Sequence, residues 1–189
     1  CGVFGIYAPG EDVANFTYFG LYALQHRGQE GTGIAVWDGK QLRDHKGLGL
    51  AAQVFNEQII RDMQGDVALG HVRYSTTGGN TYVNTQPMLG EGKWGPFAVA
   101  HNGNLINTTA LRRDLEARGI EFQATSDTEV IVKLIEAMGG DTIEEAVAAA
   151  MKHMRGAYSL GIVAPGKLLA VRDPNGVRPL AIGQFNSSG

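Results

Sequence analysis

The sequence is poor in cysteine and has no long hydrophobic run. Cys1 is the only cysteine among the 189 residues. One cysteine excludes an internal disulfide framework and any site built from four thiolates of this chain, so we expect the protein to work in a reducing cytoplasm. No apolar stretch approaches the roughly 20 residues that span a bilayer, so we expect no membrane role.

Positive charge is also scarce. The chain has 16 Lys and Arg against 19 Asp and Glu, a net charge of -3, and its basic residues are spread along the sequence. Binding to a nucleic-acid backbone needs a basic patch, so no nucleic-acid partner is expected. The five histidines are not spaced as metal ligands, and Gly47-Leu48-Gly49 lacks the rest of a dinucleotide motif. We therefore predict neither a metal nor a cofactor.

The chain begins at Cys1, without an initiator Met and without the basic and apolar regions of a secretory signal, which indicates a processed N-terminus. A lone cysteine is more often a packed hydrophobic residue than a nucleophile. At position 1, however, the thiol stands beside a free α-amine whose reference pKa is roughly 7.7 to 8.0. One residue can then supply both a nucleophile and its general base. We therefore favour Cys1 as a catalytic nucleophile.

Hydrophobic periodicity predicts strands and helices that follow one another in runs. The predicted strands are residues 2–7, 33–37, 41–48, 66–74, 97–101, 157–163, 168–172 and 178–182. The predicted helices are residues 12–25, 55–63, 108–118, 126–138 and 142–154, the fourth opened by a capping box from Ser126 to Glu129. Residues 75–95 are predicted to form a long loop, a candidate lid. This order favours layered antiparallel sheets with helices outside.

Three other positions carry groups that suit a catalytic site, and each has a purely structural alternative. Asp127 falls at a predicted helix start, where the helix dipole favours an acid. Arg73 suits an ion pair at the surface. The run His101-Asn102-Gly103 suits a turn, in which Asn and Gly adopt positive φ angles. Taken one at a time, these residues do not identify a function.

Taken together, five segments resemble the class II glutamine amidotransferases, whose glutaminase domains are N-terminal nucleophile hydrolases. The segments are Cys1-Gly2-Val3-Phe4-Gly5, Gln25-His26-Arg27-Gly28-Gln29, His71-Val72-Arg73-Tyr74-Ser75-Thr76, His101-Asn102-Gly103-Asn104 and Ser126-Asp127-Thr128-Glu129. The glucosamine-phosphate synthase branch of this family usually has different residues in the second and third of these segments. The closing Arg172-Asp173-Pro174-Asn175-Gly176-Val177-Arg178-Pro179-Leu180 is similar to the amidophosphoribosyltransferase branch, which acts in purine biosynthesis.

The resemblance implies an α+β fold, a four-layer αββα sandwich of two antiparallel sheets. It also implies that L-glutamine is hydrolysed to glutamate and ammonia through a thioester on Cys1. Asn102 and Gly103 would form the oxyanion hole. Arg73 would bind the α-carboxylate of the substrate, helped by Tyr74 and Thr76, and Asp127 would bind its α-ammonium. Arg27 would be a further substrate-binding residue.

The same resemblance sets expectations for organisation and partners. Residues 1–189 would form one glutaminase domain, and a phosphoribosyltransferase domain would be absent, since no Asp-Asp pair with a phosphate-binding loop occurs. If the chain is a fragment, such a domain or subunit would accept the ammonia. Three alternatives remain open: the glutaminase domain of another class II amidotransferase, an acylase of the same fold that accepts apolar acyl groups, and an inactive regulatory module.

Overall fold

Two four-stranded antiparallel sheets form the centre of this computed structural model, which describes residues 1–75 and 79–184. The strands are β1 (Gly2–Tyr7), β2 (Gly31–Trp37), β3 (Leu42–Leu48), β4 (Val67–Arg73), β5 (Met88–Gly92), β6 (Gly95–Leu105), β7 (Gly156–Ala164) and β8 (Lys167–Arg172). The helices are α1 (Val13–Ala23), α2 (Ala51–Val54), α3 (Glu57–Asp62), α4 (Thr108–Ala117), α5 (Asp127–Met138) and α6 (Ile143–Met151).

The first sheet has the strand order β1-β4-β2-β3, and the second has the order β5-β6-β7-β8. Strands β2 and β3 form a hairpin that turns at residues 38–41. The Asp38 carboxylate accepts the N–H groups of Lys40 and Gln41 at 2.9 and 2.8 Å, and Gly39 has a φ of 91°. A side-chain acceptor followed by a glycine at positive φ is the chemistry that such a turn requires.

Three groups of buried apolar side chains fill the spaces between four layers. The first packs α1, α2 and α3 against the first sheet, and includes Val13, Leu21, Ile34, Val36 and Phe55. The second lies between the two sheets, and includes Ala35, Trp37, Leu69, Ala98 and Val163. The third packs α4, α5 and α6 against the second sheet, and includes Val99, Val130, Ile131, Ile135 and Ile162.

Strand β2 shows why its sequence forms an inner layer. Ile34 and Val36 contact the helices, whereas Ala35 and Trp37 contact the opposite sheet, because successive side chains of a strand point to opposite faces. All seven residues of β2 are buried, as expected for a strand that is covered on both faces. The α+β class and the four-layer αββα sandwich are therefore confirmed.

The prediction of one long loop over residues 75–95 is wrong. Tyr82–Asn84 form a 3-10 turn, and β5 pairs with β6 at the edge of the second sheet. Two glycines in β5 hide its strand character, but the packing requires at least one of them. A Cβ on Gly90 would lie 2.5 Å from the Phe97 ring, so a larger residue does not fit there.

Three further expectations need correction. Residues 178–182 form no strand, and β6 continues beyond His101 to Leu105. Ser126 is the N-cap residue of α5, but its side chain makes no capping hydrogen bond. The Glu129 carboxylate instead accepts the N–H groups of Gln123 and Ala124 at 2.9 and 2.6 Å. The predicted capping box is therefore absent, although the helix begins where it was expected.

Candidate active site

Cys1 is fixed at the start of β1 by hydrogen bonds to both sides of its backbone. Its α-amine donates to the carbonyl oxygen of Arg27 at 2.9 Å, and Arg27 Nε donates to the Cys1 carbonyl at 2.9 Å. Gly28 lets this segment lie close to β4, because a Cβ at Gly28 would fall 2.6 Å from the Arg73 carbonyl carbon. These contacts hold the N-terminus in place beside β4.

The Cys1 thiol lies against the backbone of Tyr74, with Sγ 3.4 Å from the Tyr74 carbonyl oxygen and 3.5 Å from its nitrogen. The Tyr74 side chain is itself exposed. Burial and then the charges of Arg27 and Arg178 lower the pKa of the Cys1 α-amine below its usual 8.0, against the opposing effect of Glu30. A lowered pKa leaves more of the amine unprotonated at neutral pH, as a general base requires.

Arg73 ends β4 and is only 3% exposed. Its Nη1 donates to Ser75 Oγ at 2.8 Å and lies 3.8 Å from the Glu30 carboxylate. That carboxylate also accepts hydrogen bonds from the N–H and the hydroxyl of Ser75. Burial lowers the pKa of Arg73, while the negative charges of Glu30 and Asp127 act to raise it. A guanidinium is still charged at neutral pH, so the site holds a buried cation.

Asp127 is the first residue of α5 and is 6% exposed. One carboxylate oxygen accepts the N–H of Leu105 at 3.1 Å, and the other lies 3.4 Å from His101 Nδ1. Burial raises the pKa of Asp127, but its contacts with His101 and with the Leu105 N–H outweigh burial, and the pKa is lowered. The carboxylate is therefore ionised near neutral pH, close enough to Arg73 for the two charges to interact.

Asn102 and Gly103 lie in β6, opposite Ser159 and Tyr158 of β7, so the alternative of a turn is wrong. Gly103 has a φ of 151°, and a Cβ there would fall 2.0 Å from the Ala157 carbonyl oxygen. Only glycine fits this backbone path. The buried Asn102 side chain and the Gly103 N–H are donors of the kind that an oxyanion hole uses.

A hydrogen bond between two histidines joins the sheets at this place. His71 Nε2 lies 3.0 Å from the carbonyl oxygen of His101. Burial lowers the pKa of His71 to about 3, so the ring is neutral, and Nε2 carries the proton because a carbonyl only accepts. Arg73 follows His71 by two residues, and Asn102 follows His101 directly, so this bond fixes the Arg73 strand end relative to the Asn102 strand.

The structure also contains site residues that sequence reasoning missed. Glu30 and Ser75 organise Arg73, His101 contacts Asp127, and Asn84 binds the segment before α5. Glu30, Ser75 and His101 lie in or directly beside the segments that resemble the amidotransferase family, and this position was the sequence signal that could have identified them. Asn84 has no such signal. Thr76, a predicted substrate ligand, lies outside the described residues.

Across residues 1–75 and 79–184, no three His, Cys, Asp or Glu side chains are grouped closely enough to bind a metal ion. In the same part of the chain, no helix is long and apolar enough to cross a membrane.

The chain is similar to known proteins over its whole length. A family model described as a glutamine amidotransferase domain matches residues 71–188. The amidophosphoribosyltransferase of Synechococcus elongatus is 50% identical, over 100% of this chain and 39% of that protein. The Bacillus subtilis amidophosphoribosyltransferase is 44% identical, over 100% of this chain and 40% of that protein.

Solved structures give the same result. The Bacillus subtilis glutamine phosphoribosylpyrophosphate amidotransferase, complexed with ADP and GMP, superposes with a TM-score of 0.91 at 44% identity. The match covers 99% of this chain and 40% of that one. A structure described as the allosteric regulatory enzyme of purine biosynthesis gives a TM-score of 0.92 at 45% identity, with the same coverage. The chain thus spans about two fifths of the length of the relatives it matches.

Proposed function

This chain belongs to the glutamine amidotransferase domain family, and we propose that residues 1–189 hydrolyse L-glutamine to glutamate and ammonia through a thioester on Cys1. The observation that carries this proposal is the state of Cys1. Its thiol is fixed against the Tyr74 backbone, and its own α-amine has a pKa below the usual value. No second side chain is then needed as the general base.

The chemical steps use groups that the site already contains. The amine takes the thiol proton, and the Cys1 sulfur attacks the side-chain amide carbon of glutamine. Asn102 and the Gly103 N–H donate hydrogen bonds to the resulting oxyanion, an interaction worth roughly 3 to 4 kcal/mol of barrier for each donor. The protonated amine then gives its proton to the departing ammonia, and the acyl group stays on sulfur. Water attacks this thioester, and glutamate leaves as the thiol is restored.

The two buried charges support an amino-acid substrate. A free amino acid carries one carboxylate and one ammonium, which need a cation and an anion close together in a small site. Arg73 and Asp127 meet this need, at 3% and 6% exposure. We propose that Arg73 binds the α-carboxylate and that Asp127 binds the α-ammonium. An apolar acyl substrate would form an ion pair with neither group, so these two charges favour a substrate that is a zwitterion.

Arg27 and Tyr74 both contact Cys1, and we propose a role for each beside the nucleophile. Arg27 contacts the backbone of Cys1 at both its carbonyl and its side chain, which supports a role in holding the nucleophile. The backbone of Tyr74 borders the thiol, which supports a role beside the reacting carbon. Thr76 stays a predicted substrate ligand.

The test is to incubate the protein with glutamine and to measure glutamate and ammonia. Cys1→Ser should retain the fold and lose most activity, because a serine hydroxyl is almost never ionised near neutral pH. A variant with one extra residue before Cys1 should also be nearly inactive, since its amine has become an amide. Removing that residue with a protease should restore activity, which serves as the matched control. An active extended variant would contradict the proposed base.

We further propose that the released ammonia is used by an amidophosphoribosyltransferase of purine biosynthesis. The names and titles of the matched relatives support this, and the chain spans about two fifths of their length. The acceptor would be phosphoribosyl pyrophosphate, bound outside residues 1–189, in the cytoplasm. These residues alone should therefore release free ammonia when the sugar phosphate is supplied. Release of pyrophosphate in that assay would place the acceptor site within the present chain.

A further inference from the structure

We propose that Asn84 is a positioning residue for glutamine, one that holds Asp127 in register with the Arg73 side of the site. The inference rests on the proposed function, because it concerns the substrate ammonium that Asp127 would bind. Asn84 ends the 3-10 turn between β4 and β5 and lies outside the segments that resemble the family. Its side chain connects two parts of the chain about 40 residues apart.

The Asn84 amide is buried, at 1% exposure, and both of its ends are used. Its oxygen accepts the N–H groups of Thr125 and Ser126 at 3.0 and 3.1 Å. Its nitrogen donates to the Gly79 carbonyl at 2.8 Å and to Thr81 Oγ1 at 3.1 Å. A buried amide with every bond satisfied fixes the groups around it, because any movement would leave polar atoms without partners.

The bond from the Ser126 N–H to Asn84 takes the place of one half of the capping box that α5 lacks, because in a capping box that N–H is bound by the Glu129 side chain. The Ser126 hydroxyl contacts the sulfur of Met88 at 3.6 Å and makes no capping hydrogen bond. Glu129 binds the two preceding N–H groups, and Asn84 binds the next two. Four successive backbone donors before Asp127 are therefore fixed by two side chains, and only Asn84 comes from another part of the fold.

The bonds to Gly79 and Thr81 give this anchor its second end. Gly79 follows Ser75 by four residues, and Ser75 contacts both Arg73 and Glu30. Asn84 thus ties Gly79 and Thr81, which come after Arg73 in the sequence, to the start of α5, which packs on the second sheet. A substrate that uses Arg73 at one end and Asp127 at the other depends on the distance between these two groups.

The experiment compares glutamine with glutaramate, which is glutamine without its α-ammonium. Asn84→Ala should raise the KM for glutamine roughly tenfold, because Asp127 is then no longer held at a fixed distance from Arg73. The inhibition constant of glutaramate and the rate of Cys1 alkylation by iodoacetamide should stay unchanged. Asn84→Asp keeps the acceptor oxygens for Thr125 and Ser126 but loses the donor to Gly79 and Thr81, so it should raise the KM less than Asn84→Ala does, about threefold.

Asn56→Ala is the matched control. The Asn56 side chain caps α3 by accepting the N–H of Ile59 at 2.9 Å, away from the site. This variant should lose stability to a similar extent and keep its KM. The Asn84 assignment is wrong if Asn84→Ala leaves KM unchanged, or if it weakens glutamine and glutaramate equally. Asn84→Asp serves if Asn84→Ala does not fold, and an unchanged glutamine KM in Asn84→Asp would also contradict the assignment.

A double-mutant cycle tests whether Asn84 acts through Asp127. In an Asp127→Asn background, Asn84→Ala should change the glutamine KM by less than about twofold, because the ammonium contact is already lost. Full additivity would show an independent role and overturn the inference. An active wild type with these negative results refutes only the Asn84 assignment. A wild type that forms no glutamate from glutamine refutes the proposed function and the inference with it.

Discussion

His71 should make the fold less stable in mild acid, and the size of the effect can be worked out from its surroundings. The ring is fully buried, its Nε2 donates to the His101 carbonyl, and its Nδ1 has no hydrogen-bond partner in the described structure. Burial lowers the pKa of this ring from 6.5 to about 3. The folded protein therefore keeps a neutral His71 at pH values where the unfolded chain binds a proton.

The sign follows from the direction of the shift. Above pH 6.5 both states are neutral at this position, and the stability is fully present. As the pH falls toward 5, only the unfolded state gains a proton, and the free energy of unfolding decreases by about 1.4 kcal/mol per pH unit. The loss is then about 2 kcal/mol at pH 5, which corresponds to a melting temperature lower by about 4 to 8 °C.

The assay is urea unfolding at pH 7.5 and pH 5.0, with wild type compared with His71→Gln. The glutamine amide keeps a donor for the His101 carbonyl and does not titrate, so this variant should lose about 2 kcal/mol less than wild type between the two pH values. Val72→Ala is the control, because it removes buried apolar volume without a titratable group and should lower stability equally at both pH values. An equal pH dependence for wild type and His71→Gln would refute the reasoning.

Three further predictions concern activity. Because the positive charge of Arg178 lowers the pKa of the Cys1 α-amine, Arg178→Gln should move the acidic limb of the pH profile of kcat/KM to higher pH; an unmoved limb would argue against the amine as base. Gly103→Ala should lower kcat by at least about a hundredfold, since its Cβ would clash with the Ala157 carbonyl and displace an oxyanion donor; Gly39→Ala, also at positive φ but without a neighbour within 4 Å, should keep kcat. Asp127→Asn should raise the KM for glutamine and leave Cys1 alkylation unchanged, whereas a loss of stability alone would favour the helix-dipole role of this acid.

Much of the site was predictable because its residues are local to short segments. Cys1 combines thiol and amine in one residue, so no folding is needed to bring nucleophile and base together. The start of α5 at Asp127 follows from helix-start chemistry, whereas the need for glycine at position 103 becomes visible only when β6 pairs with β7. The burial of β2 on both faces also agrees with its run of apolar residues at 33–37.

The errors occurred where a distant partner overrides the local pattern. Strand β5 contains two glycines and was predicted as loop, yet pairing with β6 and the Phe97 ring decide its conformation. The Ser126-to-Glu129 motif predicted a capping box, but Asn84, which is 42 residues away from Ser126, takes the Ser126 N–H instead. Hydrophobic periodicity cannot register such contacts, because it reports only which face of an element is buried.

The charges of the site show the same division. The sequence by itself determined which groups are present: an N-terminal thiol, a guanidinium at a strand end and a carboxylate at a helix start. Only the tertiary structure decided their state, because a pKa depends on burial and on charges from other elements. Burial beside Arg27 and Arg178 lowers the pKa of the Cys1 amine, and contact with His101 and the Leu105 N–H keeps Asp127 ionised despite its burial.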